Sequence, residues 1–251
     1  MVTAEGSPLG SRTRAPMKIA WASSAFAAAF ARGECTQLEW LDACARSALC
    51  DGVAFDRAHF PRTDADYLAQ IKKAAVDLRV TPLATLDDGF FLASRSEKEE
   101  SLRIALAVGA PLLVARAPRI AACSYPELAA ALGEATGLAK AANVTIALRN
   151  APDTHAGSDA DCKRLAKEAD SAWLRFAPEP LRLDAGSSLA TLVGKSVALL
   201  HDIAEDAEKA LALIEREAPE YHGYLVLDAR SGACGLGEID SVTASSVFRA
   251  R

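Results

Sequence analysis

The sequence alternates between short apolar runs and longer amphipathic stretches. Eight apolar runs recur at intervals of roughly 25–35 residues, which is the length of one strand-helix unit. A short, continuous apolar run is typical of a strand that is buried on both faces. The eight runs span residues 19–21, 53–55, 83–86, 112–115, 145–148, 174–176, 198–200 and 225–227.

The stretches between the runs carry apolar residues at helical spacing. Strands that alternate with helices predict a parallel sheet covered by helices. Since no Pro/Gly/Ser-rich linker divides the chain, we predict an α/β fold, a single (β/α)8 TIM barrel over residues 17–251. The helical positions are Leu38, Leu41, Ala45 and Ala48; Tyr67, Leu68, Ile71 and Ala75; Leu102 and Leu106; Leu128, Leu132 and Leu138; and Leu211, Leu213 and Ile214.

The predicted barrel departs from a regular pattern in its outer helices and at the start of the chain. The outer helix ring is predicted to be incomplete near helices six and eight, because residues 189–193 form a short helix and residues 241–251 end abruptly. Residues 1–16, rich in Ser, Gly, Pro and Arg, predict a disordered leader or a mis-assigned start before Met17. Residues 18–22 fit a buried first strand, and we predict a cytoplasmic protein. The alternative is that residues 17–31 are a signal peptide and the protein is exported.

Composition narrows the class of partner. The chain has 251 residues, of which 51% are hydrophobic and 24% charged, and this excludes a disordered or fibrous protein. The formal net charge is −5 and no long basic block occurs, so we expect neither a nucleic-acid partner nor a membrane partner. Six cysteines without metal-ligand spacing predict free thiols. A small-molecule ligand is the expected partner, and the oligomeric state is left open.

Polar residues follow nearly every predicted strand. In a (β/α)8 barrel the chemistry lies at the carboxyl ends of the strands, so these residues are the candidate site. Asp87, Asp88 and Asp202 also fit helix caps, and Trp21 lies on strand one near the same end. The other candidates are Asp56, His59, Arg116, Arg149, Asn150, Glu179, His201, Asp228 and Arg230.

Three segments carry a resemblance to a known family. The order of elements, residues 52–56 followed by 59–63, and the strand-five segment 144–150 resemble the xylose-isomerase-like barrels, the sugar phosphate isomerases and epimerases. The resemblance implies a divalent cation (Mn²⁺, Mg²⁺ or Zn²⁺) bound by a Glu after strand five, an Asp or Glu after six, a His after seven and a Glu after eight. It also implies that the Glu residues of strands five and eight move a proton between adjacent sugar carbons.

The family's pattern fits this chain at three of four positions. His201 matches the strand-seven His, Asp228 stands in place of the strand-eight Glu, and Glu179 is the best match after strand six. At strand five, however, the family reads Leu-Glu-Asn where this chain has Arg149 between Leu148 and Asn150. A guanidinium cannot ligate a divalent metal and has no accessible proton chemistry near neutral pH.

Two functional interpretations remain. In the first, the protein is isomerase/epimerase-like and binds a small carbohydrate-type ligand, with Glu179, His201 and Asp228 as the catalytic or polar contacts. Asp56, His59, Arg116, Arg149, Asn150, Arg230 and Trp21 are then the substrate-binding residues. In the second, the barrel is catalytically inactive and acts as a ligand-binding or interaction protein, and Arg149 replaces the metal by ion pairs. No cofactor is expected; a divalent metal is the alternative if the site is functional.

Weaker candidates lie outside the family pattern. The Gly-rich segment 231–237 after strand eight could bind phosphate through its backbone but is also typical of a flexible loop. Cys234 in this segment is a candidate nucleophile with no His beside it in the sequence. We expect His155 and His222 at the surface.

Overall fold

The computed structural model describes residues 17–243 and has eight parallel strands in one sheet. All eight predicted strands are confirmed, and each apolar run lies inside a strand. The strands are β1 (Lys18–Ala22), β2 (Gly52–Asp56), β3 (Thr81–Leu86), β4 (Leu112–Arg116), β5 (Thr145–Arg149), β6 (Leu174–Phe176), β7 (Ala198–Asp202) and β8 (Tyr224–Asp228).

The sheet closes on itself to form a barrel. The strand order is β6-β5-β4-β3-β2-β1-β8-β7, so β1 lies between β2 and β8. The two outermost strands, β6 and β7, approach each other through a parallel bridge between Phe176 and Ser196. Val197 N donates to Phe176 O at 2.9 Å, and Leu200 N donates to Pro178 O at 2.9 Å. The prediction of a single (β/α)8 barrel is therefore confirmed.

The helices cover the outside of the barrel. Three of them, α2, α4 and α5, begin at capping boxes in which a Ser or Thr exchanges hydrogen bonds with the Glu three residues later. The helices are α1 (Ala27–Ala31), α2 (Gln37–Arg46), α3 (Ala65–Asp77), α4 (Arg95–Val108), α5 (Tyr125–Ala142), α6 (Asp159–Ala169), α7 (Ala190–Val193), α8 (Ala207–Glu217) and α9 (Glu238–Thr243).

The core has an inner and an outer layer. Because successive strand residues point to opposite faces, one set fills the barrel and the other packs against the helices. Trp21, Phe55 and Leu227 belong to the outer layer, where Trp40 of α2 also lies. The barrel interior is lined largely by small residues, namely Ala20, Ala22, Ala54, Ala84, Ala147, Ala177 and Ala198, together with Leu83, Leu86, Leu112, Val114, Leu200 and Val226.

The helix ring agrees with the sequence in most places. The prediction that the outer helix ring is incomplete after β6 is confirmed, because α7 has only four residues. The eighth outer helix begins at Glu238 and not at residue 241, and residues 244–251 of its predicted range lie outside the described part. Residues 1–16 also lie outside it. Helix α6 was missing from the periodic stretches, although Ser158 caps its first turn and Cys162 and Leu165 lie on its buried face.

The segment that could have been an export signal belongs to the barrel. Residues 18–31 form β1, a 3-10 turn (Ser23–Phe26) and helix α1. Across residues 17–243 the structure has no helix with the length and apolar character that crossing a membrane requires. The cellular location stays a prediction.

Candidate functional site

A cavity of about 780 Å³ opens where the carboxyl ends of the strands meet. This is the end of a (β/α)8 barrel at which ligands bind. Its wall includes Ser24 after β1 and the Gly-rich segment after β8, through Ser231 and Gly232. The charged side chains that line it are four arginines and four aspartates, namely Arg57, Arg116, Arg149, Arg230, Asp56, Asp87, Asp88 and Asp228.

Arg149 lies at the centre of this cavity wall. Since Ala147 lies in the barrel interior and Leu148 packs outward, Arg149 has the inward position at the end of β5. It is 4% exposed. Its Nε donates to Glu179 Oε1, and its Nη2 donates to Asp228 Oδ2 at 3.3 Å. One buried cation therefore joins the carboxylates that follow β6 and end β8.

The surroundings of Arg149 favour its charged form. Burial disfavours a charged guanidinium, but the carboxylates of Glu179, Asp228 and Asp88 outweigh that effect and raise the pKa of Arg149 above its usual value. Arg149 is therefore a permanent internal cation at any pH at which the protein is folded.

Glu179 is fixed by its neighbours on both sides. Its backbone N donates to Asn150 Oδ1 at 2.6 Å, and Asn150 Nδ2 donates to Glu179 O at 3.3 Å. Its second carboxylate oxygen, Oε2, accepts from Arg230 Nη2. Since Oε1 accepts from Arg149, both oxygens of Glu179 are bound to arginine. The side chain is buried between two guanidinium groups.

Arg230 extends the network to the loop after β7. Its Nη1 lies 3.2 Å from Asp202 Oδ2 and 3.1 Å from Glu205 Oε1. Glu205 Oε1 also lies 2.7 Å from Arg182 Nε. Burial raises the pKa of Glu205, against the opposing effect of Arg182. The chain of ion pairs thus runs from Asp228 through Arg149, Glu179 and Arg230 to the rim of the barrel.

Asp228 is held by three donors. Its Oδ1 accepts from Ser24 Oγ at 2.7 Å and from Ala229 N at 2.8 Å, and its Oδ2 accepts from Arg149. Ser24 lies in the 3-10 turn after β1, so this hydrogen bond connects the first and last strands of the barrel. Arg149, Glu179 and Asp228 converge as the sequence predicts.

His201 does not join them. Its neighbour Leu199 packs in the outer layer while Leu200 fills the barrel, so the alternation puts His201 on the outer side. Its register partner on β8, Leu227, also belongs to the outer layer. His201 is 2% exposed, its Nε2 has no hydrogen-bond partner among the described residues, and burial lowers its pKa. The prediction that His201 lies in one site with Arg149, Glu179 and Asp228 is therefore wrong.

Asp202 occupies the inward position that the family pattern gives to a His. It is the register partner of Asp228 and pairs with Arg230. The expectation that Asp87, Asp88 and Asp202 cap helices is wrong. Asp87 and Asp202 accept from backbone N–H groups two residues later, within turns, and Asp88 pairs with Arg116. The caps of α4 and α8 are Ser94 and Asp206.

Trp21 lies away from the cavity. It is fully buried in the outer layer, where its ring centroid lies 5.5 Å from that of Phe26. It has the outward position on β1 because Ala20 and Ala22 point into the barrel. A ligand in the cavity cannot reach a side chain behind the sheet, so Trp21 is corrected to a core residue.

Asp56 and His59 lie on the β2 side of the site. Asp56 lines the cavity, and burial raises the pKa of its carboxyl group despite the hydrogen bond that its Oδ1 accepts from Ala58 N. His59 Nδ1 lies 3.1 Å from Ser23 Oγ. Burial lowers the pKa of His59, against the opposing effect of Asp56. His59 lines a neighbouring cavity and not this one.

The weaker candidates have structural positions. Cys234 is buried, and burial raises the pKa of its thiol to about 11, which opposes a role as nucleophile. His155 is not at the surface as expected, because it is 8% exposed and its Nε2 lies 2.6 Å from Cys123 O. His222 is exposed as predicted. All six cysteines are free.

Comparison with known proteins identifies the fold. No family model matches the sequence, and no curated protein matches it at a significant level. Among solved structures, the IolI protein with a zinc atom is 13% identical with a TM-score of 0.71, over 93% of this chain and 99% of that one. An L-ribulose 3-epimerase is 16% identical with a TM-score of 0.66, over 92% and 87%.

A third solved structure is described by the name of its fold group. It is a xylose isomerase-like TIM barrel/4-hydroxyphenylpyruvate dioxygenase fusion protein, 15% identical with a TM-score of 0.65; the match covers 87% of this chain but only 41% of the fusion protein. The chain has the fold of the xylose isomerase-like TIM barrels. Identities this low establish the fold and leave the function of this protein to its own residues.

The residues of this site do not fit a divalent metal. At the strand-five position Arg149 brings a positive charge to the place where the family has a ligand, and the carboxylates that remain are bound to guanidinium groups. Residues 17–243 contain no group of three His, Cys, Asp or Glu side chains placed to hold a metal ion. No step that needs a metal is derived for this site.

Sequence reasoning missed several members of the site, among them Ser24 and Glu205. Ser24, which bonds Asp228, was not a candidate because it follows strand one in an Ala-rich segment without charge. Glu205, which pairs with Arg230 and Arg182, lies beyond the strand end in the loop before α8. The sequence did contain a signal for the inward position of Asp202. Side chains two residues apart on a strand share a face, and Asp202 follows Leu200 and Ala198, which fill the barrel, at this spacing.

Proposed function

We propose that this protein binds a small, uncharged, polyhydroxylated ligand of the carbohydrate class in the cavity at the carboxyl ends of the strands. We propose also that it does so without metal-dependent isomerase chemistry. The observation that carries the proposal is the pair of bonds from Arg149 to Glu179 and Asp228. A side chain of the protein itself supplies the charge that a cation would supply.

The charge of the cavity supports an uncharged ligand. Its four lining arginines balance its four lining aspartates, so the formal charge of the wall is zero. The wall offers both donors and acceptors, which matches vicinal hydroxyl groups because each can donate and accept. A phosphate group would have to compete with the carboxylates that already hold the arginines, so a sugar phosphate gains nothing over the free sugar.

The same bonds oppose proton transfer by Glu179 and Asp228. Both oxygens of Glu179 accept from arginine, and both oxygens of Asp228 accept from Ser24, Ala229 or Arg149. Each carboxylate oxygen has two lone pairs, so lone pairs remain, but taking up a substrate proton would break the ion pairs of these carboxylates with the arginines. The two carboxylates therefore act as structural partners of the guanidinium groups and as walls of the cavity.

Isothermal titration calorimetry tests the binding proposal. Neutral pentoses and hexoses are titrated beside their phosphate esters, with EDTA or with millimolar Mn²⁺. We expect a neutral sugar to bind equally well in both conditions and its phosphate ester to bind no more tightly. Binding that requires Mn²⁺ overturns the proposal, as does the absence of binding by every neutral sugar in the panel.

Arg116→Met is the variant for the site. Arg116 lines the cavity, and its partner Asp88 is exposed, so the substitution leaves no buried charge behind. Loss of a charged donor to a hydroxyl costs about 1.5–3 kcal/mol, which is a weakening of roughly tenfold or more. Asp77→Asn, on the exposed surface of α3, is the control and should leave binding unchanged.

Asp56 supports a second candidate function, a metal-independent isomerase. Its carboxyl group lines the cavity and has a pKa raised by burial, which is the direction that suits a general acid or base near neutral pH. Exchange of solvent deuterium into the carbon beside the carbonyl of a bound ketose measures this activity. We expect exchange in the parent and none in Asp56→Asn if the candidate is correct; no exchange in the parent excludes it.

A further inference from the structure

A second cavity of about 600 Å³ adjoins the first. It lies between α1, the start of α2, the 3-10 turn after β2, and α3. Ala27 and Ala58 line both cavities, so only small side chains separate them. The second cavity differs in character, because its wall contains no Asp, Glu, Lys or Arg. Its other lining residues are Phe30, Ala31, Cys35, Thr36, Gln37, Leu38, His59, Pro61 and Tyr67.

The titratable groups of this wall are neutral near pH 7. Burial lowers the pKa of His59, and burial raises the pKa of Cys35. Ser23 Oγ accepts from Asp56 N at 2.7 Å and lies 3.1 Å from His59 Nδ1, so its own proton is available to Nδ1. The cavity therefore favours an uncharged occupant.

Aromatic side chains form part of the wall. The imidazole of His59 stacks on Phe30 with ring centroids 4.7 Å apart and an interplanar angle of 24°. Tyr67 contributes a third ring from α3. Rings of this kind bind planar apolar groups through large contact areas at a small cost in side-chain entropy. The shape and chemistry of the second cavity suit an aromatic group.

Gln37 adds an unmet hydrogen-bond donor. Its side chain is 2% exposed, and its Oε1 accepts from Tyr67 Oη at 3.0 Å. Its Nε2 has no hydrogen-bond partner among residues 17–243. Exchanging the two amide atoms leaves the other atom without a partner, so the deficit does not depend on the assignment. Buried polar groups are rarely left unpaired in native proteins. Nε2 itself has less than 1 Å² of accessible surface, so the amide must rotate toward the cavity before a ligand acceptor can pair it.

We propose that the second cavity binds the aromatic group of a glycoside-type ligand whose sugar ring lies in the first cavity. Gln37 Nε2 donates to an acceptor on the aromatic group, and Phe30, His59 and Tyr67 pack against its ring. The position of the sugar ring rests on the proposed function, whereas the aromatic site rests on the second cavity alone. Each cavity has the size that small-molecule sites commonly have.

Paired glycosides test the proposal by calorimetry. Methyl and 4-nitrophenyl glycosides of glucose, galactose, mannose and xylose are titrated into the full chain. We expect the 4-nitrophenyl member of a pair to bind at least tenfold more tightly than the methyl member, because only the former reaches the second cavity. Equal affinity within every pair that binds overturns the proposal.

Two variants locate the gain in affinity. Gln37→Met keeps the size of the side chain and removes its amide, and Ala31→Phe fills the cavity from an exposed position at the end of α1. We expect each to weaken 4-nitrophenyl glycoside binding at least fivefold and to leave methyl glycoside binding unchanged, which also shows that the variant is folded. Asp77→Asn, on the exposed surface of α3, is the control and is expected within twofold of the parent. Full 4-nitrophenyl affinity in both test variants overturns the proposal.

A separate probe distinguishes the two proposals. Acetophenone carries a ring and an acceptor but no sugar, and its binding is followed by NMR of the methyl groups of Ala31 and Leu38, which line the second cavity and not the first. Shifts at these methyls without binding of any methyl glycoside support the aromatic site and overturn the proposed function. Binding of methyl glycosides with no gain from the nitrophenyl group and no acetophenone shifts does the reverse.

Discussion

Arg116 and Arg149 are register partners at the ends of β4 and β5, so two guanidinium groups stand side by side on adjacent strands. Like charges in such positions repel each other. Each is compensated separately, Arg116 by Asp88 near the surface and Arg149 by Glu179 and Asp228 inside the barrel. Both guanidinium groups therefore stay compensated only while Asp88, Glu179 and Asp228 are charged and in place.

Removing the charge of Glu179 should destabilise the fold strongly. Glu179→Gln leaves Arg149 and Arg230 facing a neutral amide in a buried setting, and breaking a buried ion pair from one side costs about 3–5 kcal/mol. Urea denaturation measures the free energy of unfolding. Asp77→Asn is the control, since it breaks an exposed pair with Lys73 that contributes at most about 1 kcal/mol. Similar losses in both variants would contradict a buried network.

Arg149→Glu should create affinity for a divalent metal. The substitution replaces a cation by a carboxylate between Glu179 and Asp228, with Asp202 nearby on β7. Without metal the crowded carboxylates should cost about 3–5 kcal/mol of stability. With Mn²⁺ at a hundredfold excess over its Kd, binding to the native state should restore about 2.7 kcal/mol.

Thermal melts with and without Mn²⁺ check this expectation. The melting temperature of Arg149→Glu should rise with Mn²⁺, while that of the parent should not. The parent also serves as the control for unspecific binding. A rise of equal size in both proteins would mean that the metal binds away from Arg149.

His201 should make the protein less stable below neutral pH. Burial lowers its pKa in the folded state, so the unfolded chain takes up the proton first as the pH falls. The contribution to stability is complete above about pH 6.5, the usual pKa of His, and is lost below that pH. One such proton changes the free energy of unfolding by at most about 1.4 kcal/mol per pH unit.

His201→Phe removes this dependence without removing an ion pair. Urea denaturation of the parent and the variant between about pH 5 and pH 7 gives the two slopes. The variant should have the flatter dependence, although His59, whose pKa is lowered in the same direction, still contributes in both proteins. Identical slopes would show that His201 takes up its proton equally in the folded and unfolded states.

The alternation of side chains along a strand decides which site residues sequence reasoning could find. The apolar runs predicted the position of every strand, because a strand of a parallel sheet is buried on both faces and is therefore continuously apolar. Strand ends are harder, since a shift of one residue moves a side chain to the opposite face. Arg149 and Asp228 were placed correctly, but His201 was chosen where Asp202 has the inward position. The resemblance to the family favoured a His at this position, and it was given more weight than the alternation of inward and outward side chains along β7.

Gly232→Ala should strain the Gly-rich segment at the cavity wall. Gly232 has a φ of +61°, and a Cβ there would lie 2.8 Å from Ala27 Cβ. Left-handed backbone and close contact together should cost about 1–3 kcal/mol. Gly33→Ala is the matched control, because Gly33 has a φ of +67° with nothing within 4 Å. Chemical denaturation should therefore show a larger loss for Gly232→Ala. Equal losses would mean that Ala27 moves aside.

A charge that is covalently part of the chain has a different dependence on the surroundings from a bound ion. The occupancy of a metal centre follows the free concentration of the metal, so a population of molecules contains loaded and empty forms. The guanidinium of Arg149 is present once in every copy and cannot be removed by a chelator. Every molecule of this protein consequently carries this internal charge from the moment it folds, whatever metal ions surround it.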